Sequence, residues 1–309
     1  MTTISTSDSL TPSKRGARMI VLISVVLPPL ALVAVMWLAW GRGFGMLDLA
    51  LFLGMYLICG LGITIGFHRY FSHKSFDCPR WVKIMLGVFG SMAVQGDLFW
   101  WVAVHRKHHQ HSDHEHDPHS PHVGSESRIK RFVHSHLGWL FRIESPDTTR
   151  YVRDLMKDPD LCTISRLFPL WVVISMGLPA LLGGLISGTW MGALTGFLWG
   201  GLVRVFFEHH VTWSVNSVCH IWGAQPYDSR DHSRNNVLVG VLALGEGWHN
   251  NHHAFPTSAR HGLTWWQFDA SWMLLKAMSL VGMASNLKTP SAQRKQRALA
   301  SRPTDESAS

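Results

Sequence analysis

The chain alternates between long apolar runs and polar segments rich in histidine. Residues 19–40 form the first apolar run, behind Lys14, Arg15 and Arg18. At ~1.5 Å per helical residue it reaches roughly 33 Å, enough to cross a bilayer, and Pro28 and Pro29 predict a bend in it. The layout imitates a secretory signal, but the run is too long and no small-residue cleavage site follows. A second run, 46–67, follows a short Gly-rich loop and predicts a helical hairpin, with Asp48 at its edge, where an ionisable group is tolerated. Runs at 168–187 and 189–207 predict a second hairpin around Gly188.

Residues 81–104 are apolar enough for a further span, but crossing there would put His68 and His105 on opposite faces of the membrane. Lys83, Gln95 and Asp97 interrupt the run, which predicts one amphipathic helix lying in the interface. The shorter runs 237–245 and 270–284 are expected to pack against the polar part or the membrane surface.

Four spans also satisfy the charge pattern. The N-terminal cluster and segments 68–167 and 208–309 carry nearly all the Lys and Arg, whereas the other linkers carry only Arg42. The positive-inside rule therefore puts both termini and both large segments on the cytoplasmic side of a multi-pass protein. Residues 1–18 and the basic tail 286–309 are expected to be disordered. Only 16% of residues are charged, against about 25% in a typical soluble protein. The mean hydropathy of +0.09 is nevertheless too low for a chain that is nearly all membrane. A small secreted domain, a collagen-like chain and an ordinary soluble enzyme are excluded. The net charge of +8 fits basic cytoplasmic loops, and no nucleic-acid partner is inferred from it.

Histidine changes the picture. All 20 lie between His68 and His261. The four cysteines, Cys59, Cys78, Cys162 and Cys219, form no CxxC pair, so neither a disulfide framework nor a thiolate zinc site is indicated. Three boxes stand out: His68 with His73, His105 with His108 and His109, and His249 with His252 and His253. In the last two, the i, i+3, i+4 spacing puts the imidazoles on one helix face. His68 and His73 are about 140° apart on an α-helix, so sharing a metal requires the helix to end between them. With His220 the boxes supply more ligands than one four-coordinate zinc can use. Two five- to six-coordinate metals can use them and still leave positions for water or dioxygen, which favours a dinuclear iron centre. His111, His114, His116 and His122 read as a solvated loop.

The segments GFHRYFSH (66–73), WVAVHRKHH (101–109), DPHS (117–120), SHLGWL (135–140), WSVNSVCH (213–220), PYD (226–228) and GEGWHNNHHAFP (245–256) together resemble the membrane fatty-acyl desaturases of the stearoyl-CoA desaturase type. The resemblance runs from about residue 60 to 256. It implies an all-α integral membrane fold, with four transmembrane helices under a cytoplasmic helical cap that holds a di-iron centre, within residues 19–285. One iron would take His68, His73, His105, His109 and His252. The other would take His108, His220, His249 and His253, with Asn216 reaching it through water.

The implied activity is insertion of a cis double bond, most often at Δ9, into a saturated acyl chain, using O2 and two electrons. Trp213 would lie near the substrate, and Tyr56 and Gly60 would shape the tunnel end. The positions that contact the CoA head group in this family correspond to Gly96, Ala103, Val104, Ile143 and Glu144. CoA phosphates would want Arg or Lys there, so acyl-CoA and phospholipid-borne chains both stay open as substrates. Neither a haem-binding HPGG segment nor a CxxC pair occurs, which implies a separate electron donor with its reductase: ferredoxin, rubredoxin or a cytochrome b5-like protein. A related di-iron hydroxylase or ketolase is the alternative within this chemistry. A divalent-metal transporter is the alternative from another class, although the runs 19–40 and 168–187 offer no ligands.

Overall fold

The computed structural model describes residues 14–39, 45–124, 126–142 and 146–300, and every regular element among them is helical. Four helices are long and apolar enough to cross a membrane. Helix α1 (Lys14–Ala39) runs through Pro28 and Pro29. Its Ala31 and Val35 pack against Leu198, Leu202 and Val203, while Leu30, Val33, Met36 and Trp37 are exposed. An apolar surface of this kind suits hydrocarbon rather than water.

Helix α2 (Met46–Ser72) begins where the Asp48 carboxylate accepts the Gly45 N–H at 3.1 Å. From Gly62 to Ser72 it widens to π-helical bonding, and the His73 N–H reaches back to the His68 carbonyl at 3.2 Å. The helix therefore does not end between the two histidines. A turn closed five residues apart brings them together edge to face instead, with ring centroids 4.9 Å apart. Close approach of the next helix depends on glycine. A Cβ on Gly62 would stand 2.3 Å from the Gly90 nitrogen, so the two backbones touch where small residues permit it.

Residues 81–104 form two helices rather than one interfacial helix. Helix α3 (Arg80–Met92) and helix α4 (Leu98–His111) are separated by a break at Val94 and Gly96, both with positive φ. Val82, Leu86, Leu98 and Val102 lie in the main core. The polar residues that suggested an interface have inward partners. Lys83 pairs with Asp158 at 2.5 Å, Gln95 donates to Thr212 at 2.9 Å, and Asp97 caps α4 through the N–H groups of Phe99 and Trp100.

A turn at Thr148–Tyr151 and helix α5 (Pro159–Arg166) lead to the second hairpin, α6 (Phe168–Ser187) and α7 (Trp190–His220). Gly188, at φ +66°, makes the tight connection, and Thr189 caps α7 by accepting the Gly192 N–H at 3.0 Å. The histidine-bearing α8 (His249–Ala254) and α9 (Ala270–Leu280) complete the polar part.

The tail departs from the sequence expectation over residues 286–300. The Lys288 N–H donates to the Ser75 carbonyl at 2.9 Å, and its own carbonyl accepts the Ala259 N–H at 2.8 Å. Residues Ala292–Ala300 then form helix α10, with Arg294 over the Phe255 ring at 5.6 Å. The tail is held by backbone bonds to distant residues, which composition does not reveal. Residues 14–18, expected to be disordered, begin helix α1; the expectations for residues 1–13 and 301–309 lie outside the described residues.

Packing at Gly62 gives a direct test. Gly62→Leu is expected to cost about 3 kcal/mol or more, because the clash is with backbone. Gly54→Leu, with nothing within 4 Å of the added Cβ, should leave the melting temperature in detergent nearly unchanged.

Candidate metal centre

Helices α2, α4 and α8 and the end of α7 converge at one end of the core. Their histidines form two clusters, within each of which the potential ligand atoms lie within 4.8 Å of one another. The first holds His68, His73, His105, His109 and His252; the second holds His108, His220, His249 and His253. Helix α4 serves both, because His105 and His109 lie one turn apart on one face and His108 lies beside them.

The nitrogens converge in pairs. Nε2 of His73 is 2.8 Å from that of His105, and Nε2 of His252 is 3.0 Å from that of His68 and 2.9 Å from that of His109. In the second cluster, the Nε2 atoms of His220 and His249 are 3.0 Å apart. Two nitrogens each about 2.1 Å from one ion and at right angles lie about 3.0 Å apart, so this spacing fits a shared coordination sphere. Nε2 of His108 and of His253 are buried without a protein partner, which fits the same interpretation.

Buried carboxylates stand behind four of the rings. Asp117 accepts from Nδ1 of His108 at 3.0 Å, Asp113 from Nδ1 of His220 at 2.8 Å, and Asp231 from Nδ1 of His253 at 2.5 Å. Glu246 Oε2 lies 2.5 Å from Nδ1 of His68. The three aspartate hydrogen bonds place the ring proton on Nδ1 and leave Nε2 with its lone pair. Burial would raise these carboxyl pKa values. The adjacent histidines and hydrogen bonds outweigh it for Asp113, Asp117 and Asp231, as Arg69 and two histidines do for Glu246, so all four stay ionised. Burial, and then repulsion from neighbouring rings, holds His73, His105, His109, His249 and His252 well below the usual imidazole pKa. At pH 7 they are neutral and available as ligands.

Sequence reasoning missed these acids. Asp113 and Asp117 sit in the loop read as solvated, and Glu246 lies three residues before His249. That loop is solvated only in part. His114 and His116 are exposed and His111 is half-buried, but Nε2 of the exposed His122 lies 2.6 Å from the His220 carbonyl oxygen. His119 and His261 also went unweighed. His119 is buried against His108, with ring centroids 4.4 Å apart. His261 is buried against His252, with centroids 4.6 Å apart.

A largely apolar cavity reaches His68, His105, His108 and His249. Tyr56, Gly60 and Asn216 line it, and the Tyr56 hydroxyl donates to the Leu242 carbonyl at 2.9 Å. Trp213 is not among the lining residues. It faces the other side of α7, where it packs against His136, His209 and His210. Ala103 and Val104 are buried, and a Cβ on Gly96 would meet the Trp100 ring at 2.6 Å. Uncharged side chains at these positions therefore carry no information about a head group; Ile143 and Glu144 lie outside the described residues.

The ring–carboxylate contacts should be measurable as metal affinity. Asp231→Asn is expected to weaken binding of a divalent ion about 10- to 100-fold in equilibrium dialysis. Acid should act in the same direction. The depressed imidazoles gain protons in the unfolded chain at about pH 6.5 but resist them in the folded one. Both metal content and melting temperature should therefore fall as pH drops from 7 to 5.

Comparison with known proteins agrees with this geometry. A family model described as fatty acid desaturase matches residues 47–280. A hex-5-enoyl-[acyl-carrier protein] acetylenase of Moorena producens is 38% identical, over 87% of this chain and 85% of that protein. An acyl-CoA C20 Δ5-desaturase of Anemone leveillei is 40% identical, over 77% of this chain and 72% of that protein. An sn-1 stearoyl-lipid 9-desaturase of Anabaena variabilis is 40% identical, over 74% and 79% respectively. The chain therefore belongs to the fatty acid desaturase family, whose members are O2-dependent oxidoreductases that desaturate fatty acyl chains.

Proposed function

We propose that this protein inserts a cis double bond at Δ9 into a saturated acyl chain carried by phospholipid or CoA. The observation that carries the reading is the cavity, which joins both histidine clusters to an apolar channel walled by α2 and α7. The Anabaena relative, an sn-1 stearoyl-lipid 9-desaturase, supports the position and a lipid-borne substrate, and the Anemone relative supports CoA as the other carrier.

In this reading His68, His73, His105, His109 and His252 hold one iron. His108, His220, His249 and His253 hold the other, with Asn216 reaching it through water. The two irons, when bound, would supply an oxidant strong enough for an unactivated C–H bond, consuming O2, two electrons and two protons per double bond formed.

The protein positions and protects. Val211, Val215, Leu242 and Leu244 confine the alkyl chain so that only two adjacent methylenes approach the rings. Trp101 lies nearly parallel to His105, with centroids 5.2 Å apart, and forms part of the same wall. Gly60 keeps the channel open, because a Cβ there would meet Leu244 Cδ1 at 3.1 Å. The apolar walls keep bulk water from the reacting carbons.

Both termini and the clusters face the cytoplasm by the charge distribution. A separate acidic electron donor of the ferredoxin, rubredoxin or cytochrome b5 kind, with its reductase, docks on that basic face.

The test is expression in a desaturase-deficient host, with fatty-acid analysis by gas chromatography–mass spectrometry and double-bond localisation. A new Δ9 monoene is expected from the wild type. His252→Ala should abolish it, and His114→Ala, on an exposed ring, should leave it within about twofold. A hydroxylated product would replace this reading with an oxygenase, and full activity of His252→Ala would overturn the ligand assignment.

A further inference from the structure

Glu208 of α7 lines the same cavity as His68 and His105 and has no part in the chemistry above. It is 3% exposed, and Arg204, one turn earlier, is fully buried. Glu208 Oε2 accepts from Arg204 Nη1 at 3.0 Å. Arg204 is otherwise occupied with structure: Nη2 donates to Ser175 Oγ at 2.6 Å, and Nε and Nη1 donate to the carbonyls of Gly200 and Met92 at 3.3 and 3.4 Å. The ion pair thus needs only one of the two carboxylate oxygens.

The other oxygen, Oε1, is buried and has no hydrogen-bond partner, on a residue that lines the cavity. It points across at α2 and lies 3.9 Å from where a Cβ on Gly60 would be. Gly60 is about two helical turns from His68. Tyr56, one turn further along α2, puts a second oxygen on the facing wall. Around them the lining is apolar, with Ile63, Val211, Val215 and Leu244.

A plain alkyl chain in this cavity would leave Oε1 dry and unpaired, which penalises that occupant. A site with a buried polar group discriminates against the ligand that fails to satisfy it. An ionisable group inside a span that faces a cavity is by default a candidate functional residue.

We propose that Glu208 is a substrate-recognition residue. The acyl chain this cavity takes carries a hydroxyl on the methyl side of the carbons that are oxidised, and that hydroxyl donates to Glu208 Oε1. The proposal rests on the acyl-desaturation reading and narrows its substrate class.

The test feeds the desaturase-deficient host equimolar pairs: a saturated fatty acid, and a monohydroxy analogue of the same length. The hydroxyl is moved one carbon at a time through the methyl half of the chain. The ratio of desaturated products is read by mass spectrometry. For the wild type, one position, or two adjacent ones, should exceed the unsubstituted chain by about tenfold, with decline on either side. In the Arg204→Met/Glu208→Val double variant, which leaves neither charge buried alone, the ratio should fall toward one. If that variant does not accumulate, Glu208→Gln must lower the ratio.

A flat wild-type series beside normal conversion of the unsubstituted chain overturns the proposal and leaves the desaturase reading intact. Glu208 then only neutralises Arg204 or holds a water. No product from any chain counts against the desaturase reading. In that case thermal stabilisation of the purified protein by the same free fatty acids decides the proposal, which fails if the hydroxylated acids stabilise no more than the plain one.

Discussion

The contact between a buried carboxylate and the Nδ1 of a histidine organises the polar half of this protein. It occurs at His68, His108, His220 and His253, and the acids come from three different connecting segments. A lone buried carboxylate is costly, and so is a cluster of like-charged imidazolium rings. Placed together, each group supplies what the other lacks: the ring gives the acid a proton donor, and the acid fixes the ring tautomer and orientation. Segments without regular structure, around Asp113, Asp117 and Asp231, are thereby tied to the histidine-bearing helices. Asp113, for example, also accepts from Ser120 at 2.6 Å and from the His232 N–H at 2.9 Å.

Arg69 carries this order into the membrane-facing half. It is fully buried at the end of α2 and donates to Glu246, to Asp269 and to the carbonyls of Thr64 and Ala259. One guanidinium therefore joins the widened turn of α2, the acid behind His68, the cap of α9 and the segment at Ala259 that pairs with Lys288. Desolvating such a group is tolerable only because every one of its nitrogens has a partner. The same accounting distinguishes Glu208, where one direction is left open.

What could be read in the sequence was whatever depends on local spacing. The apolar runs and the charge distribution indicate four spans, and the i, i+3, i+4 boxes place the imidazoles of α4 and α8 on single faces. Long-range partners were illegible. Lys83, Gln95 and Asp97 looked like a wet stripe because the sequence does not show that Asp158, Thr212 and Ser165 meet them. His68 and His73 seemed to need a helix end because their spacing was measured on an α-helix, and nothing local announces a π turn. Asp113 and Asp117 were hidden among exposed histidines, although DPHS was visible as a motif. The order of residues 286–300 comes from backbone pairing with Ser75 and Ala259, which basic composition conceals.

Helix α4 sends His105 and His109 to one cluster and His108, between them in sequence, to the other. Helix α8 divides its rings in the same way, His252 to the first cluster and His249 and His253 to the second, so two helices are shared by both sites. Turning α4 by one residue would exchange the allegiances of its rings, so its rotational setting is a shared variable of both sites. Any change that turns α4 therefore displaces ring nitrogens of both clusters together.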